Sequence, residues 1–93
     1  MVDISLWETS ARADLRIGAP AHRVVRLLAR YFRANGGRAA LSSSDIAEAT
    51  GVTDPQYCVR RLRKLGWIGA DRPGSYVPLM PAPAGGQKAA AMG

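Results

Sequence analysis

The sequence predicts a mainly α domain closed by a small β-hairpin, and three observations carry that expectation. From Ala21 to Phe32, the residues Ala21, Val24, Val25, Leu28, Tyr31 and Phe32 sit at i, i+3, i+4, i+7, i+10 and i+11, which is the spacing of one buried helical face. Two shorter segments with helix-capping residues follow, the second ending at Gly66. Beyond them Trp67 and Ile68, then Tyr76, Val77 and Leu79, flank Arg72-Pro73-Gly74-Ser75, and Pro followed by Gly between two apolar runs predicts a tight turn between strands. A chain of 93 residues suffices for one such unit and is too short for a large enzyme core.

Taken in order, residues 1–20 read as an N-terminal arm or a short helix. Ile4, Trp7, Ala11 and Leu15 recur at helical spacing, Thr9, Ser10 and Asp14 dilute the pattern, and Gly18 with Pro20 closes it. Trp7 either covers the outside of the core or forms a dimer contact, because an indole is an unfavourable group to leave wet. The long helix that follows carries Arg23, Arg26, Arg30 and Arg33 on its other face and stops at Asn35-Gly36-Gly37. Those arginines suit phosphates or a partner, and equally a solvated surface. His22, with no second ligand nearby in sequence, reads as a surface histidine. Arg38 to Leu41 predicts a short edge strand.

Ser42 and Asp45 then have the spacing of a capping box, with Leu41 and Ile46 in hydrophobic-staple positions. Each such cap stabilises a helix by about 1 kcal/mol. Asp45 and Glu48 are explained by capping and the helix dipole, without catalysis. Thr50-Gly51 ends this helix, and Thr53 with Gln56 offers a second capping box, Pro55 falling in the first turn where its missing N–H costs nothing. On the helix so started, Cys58, Leu62 and Leu65 form an apolar stripe with Val59 at its edge. Gln56, Arg60, Arg63 and Lys64 point the other way, and Tyr57 and Arg61 flank. Helix, small strand, helix, helix, hairpin is the order of a winged helix-turn-helix, a three-helix core plus a wing, here over residues 21–79. From Pro78 onward the chain turns to Pro, Ala and Gly, and residues 80–93 predict a disordered tail or linker.

The net charge of +6 is unevenly spread: residues 21–41 sum to +5 with no acid, residues 57–72 to +4, and residues 42–56 to −3. Two basic blocks suit a polyanion, and double-stranded DNA fits better than a membrane surface, since neither block keeps bulky apolar residues beside its cations once its apolar stripe is buried. No apolar run approaches the roughly 20 residues of a membrane span and no signal-peptide pattern opens the chain, so a cytoplasmic protein is expected. One Cys permits no internal disulfide. Phosphate loops, nucleophile elbows and His-Cys metal spacings are missing from the sequence, so no enzyme activity, metal or cofactor is expected.

On a helix-turn-helix reading, the second helix enters the major groove, with Gln56, Tyr57 and Arg60 as base readers. Arg61, Arg63 and Lys64 neutralise phosphate, Arg72 at the wing grips the backbone or the minor groove, and Ser43 and Ser44 donate to a phosphate. The run LSSSDIAEATGVTDPQYCVRRLRKLGWI followed by GSYVPL is similar to winged-helix transcriptional regulators. In particular it resembles the N-terminal winged-helix domain of AbiEi-type antitoxins, in which a Gly-Trp step leads to an arginine-bearing wing and a Gly-x-Tyr strand; MarR-like and GntR-like regulators share the core pattern. The resemblance covers about residues 21 to 79 and implies an autoregulator that binds inverted repeats through this domain, with a larger C-terminal domain for neutralising a toxin. A bacterial or phage-type regulator acting as a homodimer, or the DNA-binding part of an antitoxin, is the expectation. The rival expectation is a winged-helix protein-interaction module that turns its basic faces to an acidic protein partner. Such a module exposes apolar residues on its outer helix, where this chain has Gln56, Arg60 and Lys64.

Overall fold

The computed structural model of the protein describes residues 3–72 and 74–81. Helices α1 (Ile4–Arg12), α2 (Ala19–Ala34), α3 (Ser43–Thr50) and α4 (Pro55–Lys64) pack with strands β1 (Ala39–Ala40), β2 (Ile68–Arg72) and β3 (Ser75–Pro78). The strands make one antiparallel sheet in the order β1-β3-β2, so β1 is an edge strand as the sequence predicts. No helix among the described residues is long and apolar enough to cross a membrane. The tail from residue 82 and Pro73 in the hairpin turn lie outside the described residues.

Helix α2 is the central element and touches α1, α3, α4 and β1. It starts two residues before the predicted face: Pro20, expected to close a preceding helix, instead sits in the first turn of this one, where the absent N–H leaves nothing unsatisfied. Ala21, Val24, Val25, Leu28 and Phe32 are buried as predicted, and Leu27 and Ala29 join them. Tyr31 does not, being 37% exposed. With α1 on one flank and α3 and α4 on the other, the buried arc of α2 is wider than a single stripe and turns away from Tyr31. His22, expected at the surface, is half-buried, with its Nε2 shielded and unpartnered among the described residues.

The N-terminal segment joins the same core. Asp3 caps α1 by accepting from the Leu6 N–H, and Trp7 and Ala11 are fully buried. Of the two roles open to Trp7, the core one holds: its ring meets Phe32 edge to face at 5.1 Å, and its Nε1 donates to the Trp67 carbonyl at 2.8 Å. Leu15, the last member of the predicted stripe, lies past the end of α1 and is 99% exposed. The turn between α1 and α2 carries Asp14, which accepts from the Trp67 Nε1 at 2.8 Å and from both Nε and Nη2 of Arg16. The Arg16 hydrogen bond is the main reason the Asp14 carboxyl lies well below the usual carboxylate range; desolvation opposes it, and the Trp67 bond adds to it.

Helix α3 begins as predicted. The Ser42 Oγ accepts from the Asp45 N–H, Asp45 returns the bond to the Ser42 N–H, and both staple residues, Leu41 and Ile46, are buried. Gly51 ends the helix at φ 73°, a left-handed conformation open to glycine without strain. The cap of α4 departs from expectation. Asp54, not Thr53, is the N-cap, accepting from the Tyr57 N–H at 3.1 Å. Pro55 dictates the shift: a residue before proline is excluded from the helical region, so Asp54, at φ −126° and ψ 78°, has to stand outside the helix, and the Thr53–Gln56 box cannot form. Cys58, Val59 and Leu62 are buried and Leu65 is half-buried, the predicted apolar side of α4. Burial is the first cause that raises the Cys58 thiol pKa, as suits a packing residue.

Candidate nucleic-acid interface

Once the apolar side of α4 is committed to the core, its remaining side chains have to face solvent. Gln56, Tyr57, Arg60, Arg63 and Lys64 are exposed. Helix α3 reaches α4 through the four residues Gly51 to Asp54, so the start of α3 and the outer face of α4 are held in a fixed relation by two capped ends. A shallow groove of about 250 Å³ runs between them and is lined by Ser43, Gln56, Val59, Arg60, Arg63 and Tyr76. Four of the predicted site residues therefore meet in one place, contributed by α3 and α4. Tyr76, from the middle strand β3, completes the groove and is not among the residues the sequence pattern singles out, because its place there depends on the order of the strands.

The other predicted residues are distributed around this groove. Ser44 and Lys64 are exposed beyond its lining. Tyr57, 57% exposed, and half-buried Arg61 lie toward the opposite edge of α4, in a depression shared with Arg16, Gly18 and Pro20. The Arg61 Nη2 donates to the Arg16 carbonyl at 3.4 Å, so this arginine also braces the turn between α1 and α2. Arg72 is exposed at the end of β2, next to an irregularity in the ladder: Ala70 pairs with Tyr76 and Arg72 with Ser75, which leaves Asp71 as an extra residue in β2. Asp71 pairs with Arg38 at 3.0 Å. A hydrogen bond from Ser75 is the first cause lowering its pKa, with Arg38 and Arg72 adding to the effect.

The disposition of the acids decides the electrostatics. Seven acids are present in the chain. Asp3, Asp45 and Asp54 cap helices, and Glu8, Asp14 and Asp71 hold Arg33, Arg16 and Arg38. Among the described residues, only Glu48 is left without such a role. Among the described residues, Arg60, Arg63 and Lys64 have no acid within ion-pair distance, and the α4 sequence between its caps contains none. The face thus presents uncompensated guanidinium and ammonium groups, a primary amide and hydroxyls. That donor set is chemically suited to anions and hydrogen-bonding edges. No group of three or more His, Cys, Asp or Glu capable of holding a metal occurs among the described residues.

Comparison of the chain with protein-family models, with curated proteins and with solved structures gives no significant match.

Proposed function

We propose that the protein is a winged helix-turn-helix domain that binds double-stranded DNA sequence-specifically, as a transcriptional regulator of bacterial or phage type. The observation that carries this reading is the groove in which Ser43, Gln56, Arg60 and Arg63 converge, with no acid among the described residues that line it. In this reading α4 lies in the major groove. Gln56 pairs bidentately with adenine, Arg60 with guanine, and Tyr57 reads an adjoining edge. Arg61, Arg63 and Lys64 contact phosphates, with the α4 edge at Arg61 also tied to the Arg16 carbonyl. The first N–H groups of α3, together with the Ser43 and Ser44 hydroxyls, donate to a phosphate at the positive end of that helix dipole. Strands β2 and β3 form the wing, and Arg72 at its end meets the backbone or the minor groove. A homodimer on inverted repeats would place two α4 helices about one DNA turn apart.

The test begins with selection of bound duplexes from a random pool, followed by anisotropy titrations on the selected site. The four cations Arg61, Arg63, Lys64 and Arg72 alone contribute about −3.6 to the slope of log affinity against log salt. Replacing Arg60 and Lys64 together by Ala is expected to weaken binding by about 10- to 1,000-fold and to relax the base preference. A slope near zero, or retention unchanged in the double variant, would sink the reading in favour of a protein-binding surface.

A further inference from the structure

The arginines of α2 are not consumed by the site just described. Arg33 pairs with Glu8 at 3.1 Å, but Arg23, Arg26 and Arg30 are exposed and, among the described residues, have no acid within ion-pair distance. All three border a depression of about 220 Å³ between α2 and the end of α3, completed by Leu27, Ala49 and Thr50. Arg23 also borders a second depression, which reaches the start of α4 at Thr53, Asp54 and Tyr57. The stripe is therefore continuous with the outer edge of α4 through Arg23 and Tyr57.

Resting on the DNA-binding reading above, we infer that Arg23, Arg26 and Arg30 form a flanking track for the phosphate backbone of the same duplex, lying beside the reading helix and indifferent to base sequence. Three features favour a phosphate backbone over an acidic protein. Protein interfaces are anchored by desolvated apolar or aromatic side chains, and the depression offers only small residues and a buried Leu27. Positions 23, 26 and 30 rise by roughly 4.5 and 6 Å along a helix axis. A span of roughly 10 Å is enough for three long side chains to reach separate phosphates of one strand. Guanidinium is the group that grips a phosphate through two parallel N–H bonds.

The test uses the full chain and the selected duplex, titrated between about 50 and 200 mM salt, the range over which counterion release is measured. With three further phosphates the wild-type slope is expected near −6.3 for each domain on the duplex. The triple variant Arg23→Gln, Arg26→Gln, Arg30→Gln is expected to return it to near −3.6, with binding about 100- to 1,000-fold weaker near 0.1 M salt and the ratio of specific to non-specific affinity unchanged. These positions are exposed, so the thermal unfolding of the variant should match wild type; should it not fold, Arg26→Gln alone is expected to remove about 0.9 from the slope. An identical slope in wild type and variant overturns the inference and leaves the α4 reading intact. A wild-type protein that fails to retain any duplex overturns both.

Discussion

The corner where α1 meets α2 and the start of β2 treats its arginines differently from the face made by α3, α4 and β3. At the corner Arg16 and Arg33 are matched to Asp14 and Glu8, and both tryptophan N–H groups have protein acceptors, the Trp67 carbonyl and the Asp14 carboxylate. On the face, Arg60, Arg63 and Lys64 are exposed and, among the described residues, have no acid within ion-pair distance. At the corner the groups out of water are the two indole N–H groups and the Asp14 and Glu8 carboxylates, not the exposed arginines. Such shielded groups are expensive to leave unpaired, so the corner needs its partners. The exposed face has no such requirement and keeps its charges free for a ligand. The difference teaches that a net charge of +6 locates nothing by itself; what matters is which acids are already engaged.

This contrast can be broken most forcefully at Trp7. Truncation to Ala removes a wholly buried indole, its contact with Phe32 and its hydrogen bond to the Trp67 carbonyl, and is expected to cost about 3–5 kcal/mol in denaturant unfolding. A loss under about 1 kcal/mol would mean that α1 is not part of the core. Asp14→Asn should have a smaller effect, about 1–3 kcal/mol at neutral pH, the range for disturbing a charged hydrogen-bonded partner. Its pH dependence has a definite sign. The folded pKa is depressed below the unfolded value of about 3.9, so the stabilisation is complete above that value and disappears as pH falls through it toward the folded pKa. Wild type and the Asn variant should draw together as pH falls from about 4 toward the folded pKa; a gap that does not narrow over that descent would place the effect in packing instead of charge. The smallest stability change belongs to the face: Arg60→Ala with Lys64→Ala should stay within about 0.5 kcal/mol of wild type. A larger loss would show these residues to be structural, like those at the corner.

Local chemistry made much of the fold legible. The period of α2, the Ser42–Asp45 box, the Gly51 and Gly66 helix ends and the hairpin on either side of Gly74 are each decided by residues within a turn of one another. The outer face of α4 was readable for the same reason. The cap of α4 was misplaced by one residue because the Thr53–Gln56 spacing competes with the pre-proline restriction on Asp54, and the steric term wins. The fate of Trp7 was ambiguous because its partners lie at Phe32 and Trp67, and no local pattern announces contacts across 25 or 60 positions. Tyr76 escaped for a related reason: its nearness to Ser43 and Arg63 arises only when β3 takes the middle of the sheet, between an edge strand of two residues and a bulged β2.

The tryptophan corner also bears on autonomy. Counted by sequence pattern, the helices and hairpin from residue 21 onward look self-sufficient, with the preceding segment as an attachment. Lifting that portion away at Gly18 would strip the Trp67 indole of its carboxylate and the Trp67 carbonyl of its donor, and would wet the ring of Phe32. The first strand of the hairpin begins at Ile68, the residue directly after that tryptophan. A graft that carried only the helix pair and hairpin into another protein would therefore lose the buttress at the root of the hairpin, and the portable unit has to include α1.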